Sequence, residues 1–236
     1  MTNLIASTSF DPVDRKVELT DDGSHTIILP NTEIRYHSRF GAIQESEHVY
    51  LNAGLQPFLN FEGPVRVFEM GFGTGLNAFL TYLAAKENSV KIEYEAVEAF
   101  PLVQEEYKHL NYAHALGKRE LSESFQMMHQ VPWNKLIRIG SLFTMIKHQV
   151  PVEQFTTGKK FHVVYYDAFS PTAQPELWGH EAMSRMYDLL LPNGILTTYC
   201  SKGDVKRTLE SVGFLIEKLP GPLGKREILR AHKPAL

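Results

Sequence analysis

The stretch that most restricts the fold is residues 67–85, which read VFEMGFGTGLNAFLTYLAA. An apolar segment runs into three glycines spaced G-x-G-x-G, which are Gly71, Gly73 and Gly75, and apolar residues then recur at helical spacing. This pattern predicts a buried strand, a tight turn and an amphipathic helix. Such a unit is typical of α/β proteins, in which ligands bind at the carboxyl ends of parallel strands.

From Val65 onward, strand-like and helix-like segments alternate along the chain. A helix is expected to begin near Pro101, because proline is favourable at the first helical position. In the middle of the chain, NKLIRIG predicts a short third strand and SLFTMIKHQV predicts another helix. Three further apolar runs predict strands, and the second of them is expected to be buried on both faces of a parallel sheet: KIEYEAVEA, KFHVVYYDAF and GILTTYC.

Both ends of the chain add antiparallel hairpins to this pattern. Near the N-terminus, a DDGS turn separates two β-prone segments, and Asp-Gly in such a place is typical of a hairpin. Near the C-terminus, FLIEKL and KREILRA flank a Pro/Gly loop and predict a closing hairpin. We therefore expect residues 1–60 to form a β-hairpin and a segment that covers the cleft, and residues 61–236 to form a doubly wound α/β domain.

Composition and charge exclude several classes of protein. The single cysteine, Cys200, excludes an intramolecular disulfide framework and a multi-cysteine metal cluster. The N-terminal MTNLIASTSF lacks the basic region and long apolar core of a signal peptide, and no apolar run approaches the roughly 18 residues of a membrane helix. A cytoplasmic protein is expected. The net charge of −3 gives no global attraction to nucleic acid, so such a partner requires a local basic patch.

The glycine turn predicts a nucleoside ligand smaller than a dinucleotide, because it lacks the G-x-x-G step of the dinucleotide fingerprint. The carboxylate of Glu69, before the turn, would repel a pyrophosphate and attract the amino group of a methionine moiety. Glu98 ends the second strand and can accept hydrogen bonds from both ribose hydroxyls. Taken singly, these features are explained by tight packing and a solvated strand end, but their combination predicts S-adenosylmethionine. The expected cofactor contacts are Glu69, Gly71, Phe72, Gly73, Thr74, Gly75 and Glu98.

The adenine contact is less usual. Many enzymes that bind this cofactor carry an aspartate after the third strand, where it meets the adenine amine. Here the segment RIGSLF offers Gly140 and Ser141 instead. We therefore expect backbone groups or the Ser141 hydroxyl to contact adenine.

Asp167 is the expected catalytic residue. It ends a strongly apolar strand, where a doubly wound fold places its active site and where burial makes the pKa of a carboxyl sensitive to an approaching amine. A turn contact ahead of Pro171 and Pro175 is the structural alternative. Methyl transfer to nitrogen needs an aligned, unprotonated amine, and a carboxylate can orient the amine and receive its proton. We also expect Asp167 to contact the cofactor.

Three of these segments resemble the methyltransferase part of the MnmC/MnmD family, the tRNA 5-methylaminomethyl-2-thiouridine methyltransferases: EMGFGTGLNAF, YYDAFSPTAQPELW and GPLGKREILRA. The N-terminal YHSRFGAIQESEHVYLNAGL resembles the stand-alone members, so the resemblance covers nearly the whole chain. It implies a class I, Rossmann-like methyltransferase fold. Direct methyl transfer requires no metal ion, and we expect none. The resemblance also implies methyl transfer from S-adenosylmethionine to the aminomethyl group of the wobble uridine in a tRNA anticodon loop.

The resemblance places Glu69, the three glycines and Glu98 on cofactor positions, and Asp167 on the acidic residue of the cleft. A tRNA partner needs cations for its phosphates and a surface for a flipped-out base. The expected substrate contacts are Tyr36, Glu45, Lys225 and Arg226. Fused family members carry a flavin-binding half that this sequence lacks, so we expect either that a carboxymethyl group is removed elsewhere or that the aminomethyl form is supplied directly.

Two other functions fit parts of the sequence. One is an enzyme that uses the same cofactor, or its decarboxylated form, on a small cationic amine, as in aminopropyl transfer. The acidic net charge suits that substrate, whereas Ser141 in place of a further acidic residue argues against it. The other is a non-catalytic subunit of the same fold, against which the retention of Glu69, Glu98 and Asp167 argues.

Overall fold

A computed structural model of the chain describes residues 15–235. Residues 1–14 and Leu236 lie outside the described part, and so does the MTNLIASTSF stretch for which no signal peptide is predicted. Among the described residues, no helix combines the length and the apolar character that crossing a membrane requires.

The first described element is the predicted N-terminal hairpin, in which β1 (Lys16–Leu19) and β2 (His25–Ile28) pair antiparallel. The Asp22 carboxylate closes the turn. Its Oδ1 accepts hydrogen bonds from the Thr20 hydroxyl at 2.8 Å and from the Ser24 backbone N–H at 2.9 Å. The aspartate side chain thus satisfies the Ser24 N–H, for which the tight turn provides no backbone acceptor, and the hairpin predicted from DDGS is confirmed.

Within residues 15–235, the centre of the fold is a mixed sheet of eight strands. In chain order, these are β3 (Val65–Met70), β4 (Ile92–Val97), β5 (Ile137–Ile139), β6 (Phe143–His148), β7 (Phe161–Tyr166), β8 (Leu190–Thr198), β9 (Leu215–Pro220) and β10 (Glu227–His232). Their order across the sheet is β5-β6-β4-β3-β7-β8-β10-β9. The five central strands, β6, β4, β3, β7 and β8, pair in parallel. Antiparallel pairs add β5 on one side and β10 with β9 on the other. The predicted doubly wound sheet and its C-terminal hairpin are confirmed.

Helices cover both faces of this sheet. The α-helices of the described part are α1 (Ala42–Ser46), α2 (Leu76–Asn88), α3 (Gln104–Tyr107), α4 (Tyr112–Ala115), α5 (Ser122–Gln130), α6 (His180–Leu189) and α7 (Gly203–Val212). A π-helix, Glu47–Leu55, continues α1, and short 3₁₀ turns occupy Gln56–Phe58, Arg119–Leu121, Val152–Gln154 and Pro175–Trp178. The helix expected near Pro101 begins only at Gln104.

β7 illustrates why the sheet needs two covering layers. All six of its residues, FHVVYY, are buried. Val163 and Tyr165 join the apolar cluster that contains residues of α2, α5 and the π-helix, whereas Val164 and Tyr166 join the cluster that contains residues of α6 and α7. A strand with apolar side chains on both faces is stable only between two layers, as the unbroken apolar run predicts.

The prediction of a helix over SLFTMIKHQV is wrong. Phe143–His148 is strand β6, which pairs in parallel with β4 inside the sheet. Phe143, Met145 and Lys147 are buried at alternate positions, so the two-residue period of a strand is present. The third inward residue is Lys147, whose charge interrupts the alternation of apolar and polar residues in the sequence. The segment therefore resembles an amphipathic helix rather than a strand.

The residues between the N-terminal hairpin and β3 lie over the sheet. The π-helix packs against β7 and β8 at close range. A Cβ at Gly54 would lie 3.1 Å from Thr197 Oγ1 and 3.2 Å from the Tyr165 ring, so glycine permits this approach. The division of the chain into units 1–60 and 61–236 stays a prediction.

Candidate active site

The carboxyl ends of the parallel strands border a cavity of about 560 Å³. Its lining includes residues 70–74 and 76–77 from the end of β3 onward, 97–100 from the end of β4 onward, 150–153 after β6, 167–170 after β7, and residues 33–38 with Glu45 from the N-terminal segment. This edge of a doubly wound sheet is where ligands bind. The cavity therefore brings together the glycine turn, Glu98, Asp167 and the segment that was expected to cover the cleft.

The glycine turn forms one wall of the cavity. Gly71, Gly73 and Gly75 all have positive φ, between 49° and 89°, a region that side chains disfavour. A Cβ at Gly71 would lie 3.2 Å from the Asp167 backbone oxygen, and a Cβ at Gly73 would lie 3.1 Å from the Tyr36 ring. Glycine is therefore required here by both conformation and space. The result is a backbone wall that a ligand can approach closely.

Glu98 fixes the end of β4 to this turn. Its Oε2 accepts a hydrogen bond from the Gly73 backbone N–H at 2.9 Å, and its Oε1 accepts one from the Phe100 N–H at 2.8 Å. Each carboxylate oxygen has a second lone pair, so Glu98 retains acceptor capacity for a ligand hydroxyl. The carboxylate both shapes the turn and lines the cavity.

A partly buried histidine and a buried lysine support the turn from below. The ring N–H of His129 at Nε2 donates to the Thr74 backbone oxygen at 3.0 Å, and the Lys147 Nζ donates to the His129 backbone oxygen at 2.8 Å. Burial lowers the pKa of His129 to about 3 and that of Lys147 to about 8. The Lys147 ammonium also lies over the rings of Phe72 and Trp133. Lys147, the buried lysine of β6, thus stabilises the glycine turn.

Asp167 lies at the end of β7, partly exposed to the cavity. The Tyr50 hydroxyl donates to its Oδ1 at 2.6 Å, and the Asn77 amide donates to its Oδ2 at 2.8 Å. Burial raises the pKa of the Asp167 carboxyl, with a contribution from the charge of Glu45, while His37 and the two hydrogen bonds oppose this shift. The site therefore contains a well-oriented carboxylate that is more basic than an ordinary aspartate.

Glu69 lies behind the cavity surface rather than on it. Its side chain is fully buried on β3, and neither carboxylate oxygen has a hydrogen-bond partner among the described residues. Burial raises the pKa of Glu69 well above its ordinary value, and the nearby charges of Asp167 and Glu98 add to the shift. The Tyr94 hydroxyl and the Asn77 amide lie near enough to favour the ionised form and oppose the shift, although neither is placed to make a hydrogen bond to Glu69. A buried, unpaired carboxyl at this position destabilises the free protein.

Glu69→Gln is expected to stabilise the free protein increasingly as the pH rises above 4.5. In the unfolded chain the Glu69 carboxyl loses its proton near pH 4.5, whereas the folded protein keeps that proton to higher pH. The folded state therefore binds more protons, and wild-type stability falls as pH rises through this window. Glutamine removes this loss. Thermal unfolding from pH 4.5 to 8 measures the effect.

The matched control is Glu93→Gln, an exposed carboxyl on β4 that removes the same formal charge. Its unfolding temperature should follow that of the wild-type protein across the pH range. Equal behaviour of the Glu69 and Glu93 variants would contradict the assignment of a buried, protonated Glu69.

Three of the four predicted substrate residues line the cavity. The Glu45 carboxylate accepts a hydrogen bond from the Ser38 N–H at 2.7 Å and pairs with the Lys225 ammonium at 2.8 Å. Lys225 also lies over the Tyr199 ring, 3.8 Å from its centroid. Tyr36 packs edge-on against Phe169. The N-terminal segment and the β9–β10 connection therefore meet at the cavity through the Glu45–Lys225 pair.

The structure does not bring Gly140 and Ser141 to the cavity. They lie in the turn between β5 and β6, at the amino end of β6 and thus at the opposite edge of the sheet. Their placement after the third parallel strand is wrong, because that strand is β6. Arg226 is exposed and lies outside the cavity lining, and Gly75 packs against His129 beneath the turn.

Several residues of the site escaped sequence reasoning. Tyr50 and Asn77 hold Asp167, and Tyr199 lies under Lys225. Asn77 carried a usable signal, since it lies two residues after the last glycine of the turn. Among residues 15–235, no group of three His, Cys, Asp or Glu side chains is arranged to hold a metal ion.

Comparison with known proteins decides the family. A family model described as S-adenosyl-L-methionine-dependent methyltransferase matches residues 108–234, which is more than half of the chain. The chain belongs to this family. The cofactor predicted from the glycine turn is confirmed at that level, and the enzyme is a methyltransferase.

The methyltransferase resembles part of larger curated proteins. It is 31% identical over 194 residues to the tRNA 5-methylaminomethyl-2-thiouridine biosynthesis bifunctional protein MnmC of Campylobacter hominis, covering 80% of this chain and 28% of that protein. The protein of the same name from Burkholderia multivorans is 29% identical, with coverage of 92% and 35%. The chain thus spans about a third of the length of these relatives, and the resemblance to the MnmC family is confirmed.

Solved structures agree with the methyltransferase fold. MNMC2 from Aquifex aeolicus superimposes with a TM-score of 0.78 at 23% identity, covering 94% of this chain and 71% of that one. Spermidine synthase from Thermotoga maritima gives a TM-score of 0.51 at 16% identity, covering 94% and 73%. At these identities the similarity establishes the architecture alone, and it confirms the predicted Rossmann-like class.

Proposed function

We propose that this methyltransferase transfers a methyl group from S-adenosylmethionine to the aminomethyl group of 5-aminomethyl-(2-thio)uridine at the wobble position of tRNA. The names of the curated relatives support tRNA as the substrate. The observation that carries the proposal is Asp167, a basic carboxylate held by two donors at the cavity edge. An amine is the acceptor that such a carboxylate serves best.

The residues around the cavity fit the cofactor. Gly71 and Gly73 leave space that a Cβ would fill, and Glu98 keeps free lone pairs for ribose hydroxyls. The buried oxygens of Glu69 lack partners, as expected of a group that complements a cationic amino group when the site is filled. When bound, S-adenosylmethionine supplies a methyl group activated by its sulfonium. Phe72, Thr74 and Gly75 are proposed to shape the same wall.

We place the adenine end of the cofactor at the carboxyl end of β6. Residues 150–153 and Phe100 line the cavity there, whereas Gly140 and Ser141 lie at the opposite edge of the sheet. Val150, Pro151 and Val152 provide an apolar wall suited to an aromatic base. This assignment replaces the adenine contacts expected from the sequence.

The proposed mechanism gives Asp167 two tasks. A primary amine is largely protonated at neutral pH, and its nitrogen needs a free lone pair to form the new bond to carbon. Asp167 orients the ammonium group and accepts its proton, so that the lone pair points into the cavity. The raised pKa of Asp167 makes proton uptake easier than for an ordinary aspartate. Tyr50 and Asn77 keep the carboxylate in place during this transfer.

Charge around the cavity also favours a cationic amine. Six carboxylates belong to its lining: Glu33, Glu45, Glu98, Glu153, Asp167 and Glu176. Two cations of the lining pair with members of this set, Lys225 with Glu45 and Arg35 with Glu33. Arg226 lies outside, where it is available to an RNA phosphate. We propose that Tyr36 and Glu45 contact the modified base, and that Lys225 and Arg226 contact the anticodon loop.

A small cationic amine is the second candidate substrate, because the same acidic lining would attract a polyamine. Incubation with radiolabelled S-adenosylmethionine distinguishes the two. Undermodified tRNA carrying aminomethyl uridine and a polyamine mixture are offered in parallel, and the products are identified by nucleoside and amine chromatography. Label in the methylaminomethyl nucleoside supports the proposal. Label in polyamines alone would contradict it and would identify a small amine as the substrate.

A further inference from the structure

The Tyr50 hydroxyl contacts Asp167, the proposed general base, and the sequence did not indicate this contact. Tyr50 lies in the π-helix Glu47–Leu55, with 1% of its surface exposed, and its hydroxyl donates to Asp167 Oδ1 at 2.6 Å. Its ring packs at a tilt against Tyr165, with 5.3 Å between the centroids. π-Helices are rare and are often found at functional sites. Here the π-helix sets a buried hydroxyl against the carboxylate of Asp167.

We propose that Tyr50 is a positioning residue for methyl transfer: its hydroxyl holds the Asp167 carboxylate in one orientation, so that the carboxylate meets the incoming amine aligned. This inference rests on the proposed function for its catalytic part. The positioning itself is a property of the free protein.

The geometry leaves Asp167 a single orientation. Tyr50 holds Oδ1 and Asn77 holds Oδ2, and these donors come from the two elements that flank the end of β7, the π-helix and α2. A carboxylate bound at both oxygens cannot rotate about its Cβ–Cγ bond without breaking one of two charge-assisted hydrogen bonds. The rigid aromatic ring of Tyr50 is itself fixed by burial. The carboxylate is therefore oriented before any substrate arrives.

Tyr50 remains a donor over the whole working range of pH. Burial and the adjacent Asp167 charge raise the pKa of its phenol well above the ordinary value. The bond is made to an unprotonated oxygen, so it favours the ionised form of Asp167 and opposes the effect of burial. Besides Tyr50, the polar or titratable groups of the described residues that act on the Asp167 region are His37, Glu45, Glu69, Asn77, Tyr94, Tyr112 and Tyr199.

Tyr50→Phe removes the hydroxyl and keeps the ring. We expect kcat to fall about 10- to 100-fold, as for the loss of one hydrogen bond to a charged group. The Kd for S-adenosylmethionine and the KM for the amine substrate should stay close to wild type. The acid limb of the pH profile of kcat/KM should move to higher pH, because Asp167 loses a bond that stabilises its ionised form.

Tyr165→Phe is the matched control. Tyr165 is a buried tyrosine that contacts the Tyr50 ring, but its hydroxyl lies 3.2 Å from Thr81 Oγ1 and makes no hydrogen bond to Asp167. Its removal tests the effect of losing a buried hydroxyl next to the site. We expect wild-type kcat and an unchanged pH profile. Equal losses in both variants would overturn the proposal, since the effect would then come from packing.

The double variant Tyr50→Phe/Asp167→Asn tests whether Tyr50 acts through Asp167. If it does, Tyr50→Phe causes no further loss in the Asp167→Asn background, because coupled residues are not additive. Full additivity of the two losses would contradict the proposal.

A measurement without substrate separates this inference from the proposed function. Carboxyl ¹³C NMR of aspartate-labelled protein follows the titration of Asp167, whose signal is the one absent from Asp167→Asn. Tyr50→Phe should raise the pKa of Asp167 in the free protein, and Tyr165→Phe should not. This shift would support the positioning role even if tRNA accepted no methyl group. An unchanged titration would overturn it, whatever the substrate proves to be.

Discussion

Asp167→Asn is expected to lower kcat for methyl transfer about 10²- to 10⁴-fold while changing the Kd for S-adenosylmethionine by less than about threefold. The amide keeps the shape of the side chain, and its oxygen still accepts the Tyr50 hydrogen bond. Its NH₂ faces Asn77, whose amide must turn to present its own oxygen, an atom without a hydrogen-bond partner in the wild type. The amide of the variant cannot take up a proton and does not attract an ammonium group. Isothermal titration and single-turnover methyl transfer measure the two quantities separately.

The control for this variant is Asp188→Asn, an exposed aspartate at the end of α6, which should retain wild-type activity. Because burial disfavours the ionised form of Asp167, its amide variant should unfold at no lower temperature than wild type at pH 7. A variant that binds cofactor, folds normally and still turns over at the wild-type rate would remove Asp167 from the mechanism.

Local patterns predicted the centre of the fold. The unbroken apolar run of β7 required a layer on each face, and the G-x-G-x-G spacing required a turn with positive φ between β3 and α2. Both are consequences of sterics and burial that act within a few residues. These two features predict where β3 and β7 end, and therefore predict the positions of Glu69 and Asp167 at the carboxyl edge of the sheet.

The error at β6 shows where such patterns fail. Lys147 occupies an inward position that an apolar residue would normally fill, because it bonds the His129 backbone and lies over the Phe72 ring. Those partners come from other parts of the chain, so a local window sees only a charge that breaks the alternation. Because β6 was predicted to be a helix, the third parallel strand was assigned too early in the chain, and the adenine contacts were predicted at Gly140 and Ser141.

The contacts that orient the site were equally hidden, since they join distant positions. Tyr50 and Asp167 are 117 residues apart in sequence. Glu45 and Lys225 come from opposite ends of the chain and meet only because the N-terminal segment and the β9–β10 connection converge on the cavity. No spacing rule encodes such pairs. The role of Asp167 as a proton acceptor was predictable from its place at the end of β7. The orientation of its carboxylate was not, because it depends on tertiary packing.

Glu98→Gln is expected to raise the Kd for S-adenosylmethionine about 10- to 100-fold, since a hydrogen bond to a charged acceptor contributes about 1.5–3 kcal/mol. The carboxylate now accepts from both the Gly73 and the Phe100 N–H. In the variant, an amide NH₂ must face one of these donors, so the turn or the strand end loses its partner. The proposed ribose contact weakens as well. Calorimetric titration measures the loss.

Glu33→Gln provides the comparison, because Glu33 also lines the cavity but its side chain is 92% exposed and pairs with Arg35. Both variants remove one negative charge from an acidic cavity that binds a cationic cofactor. A general electrostatic effect would therefore weaken binding in both to a similar extent. Loss confined to Glu98→Gln, with lower thermal stability from the released N–H group, would locate the effect in the turn itself. Equal affinities in Glu98→Gln and wild type would exclude Glu98 as a cofactor ligand.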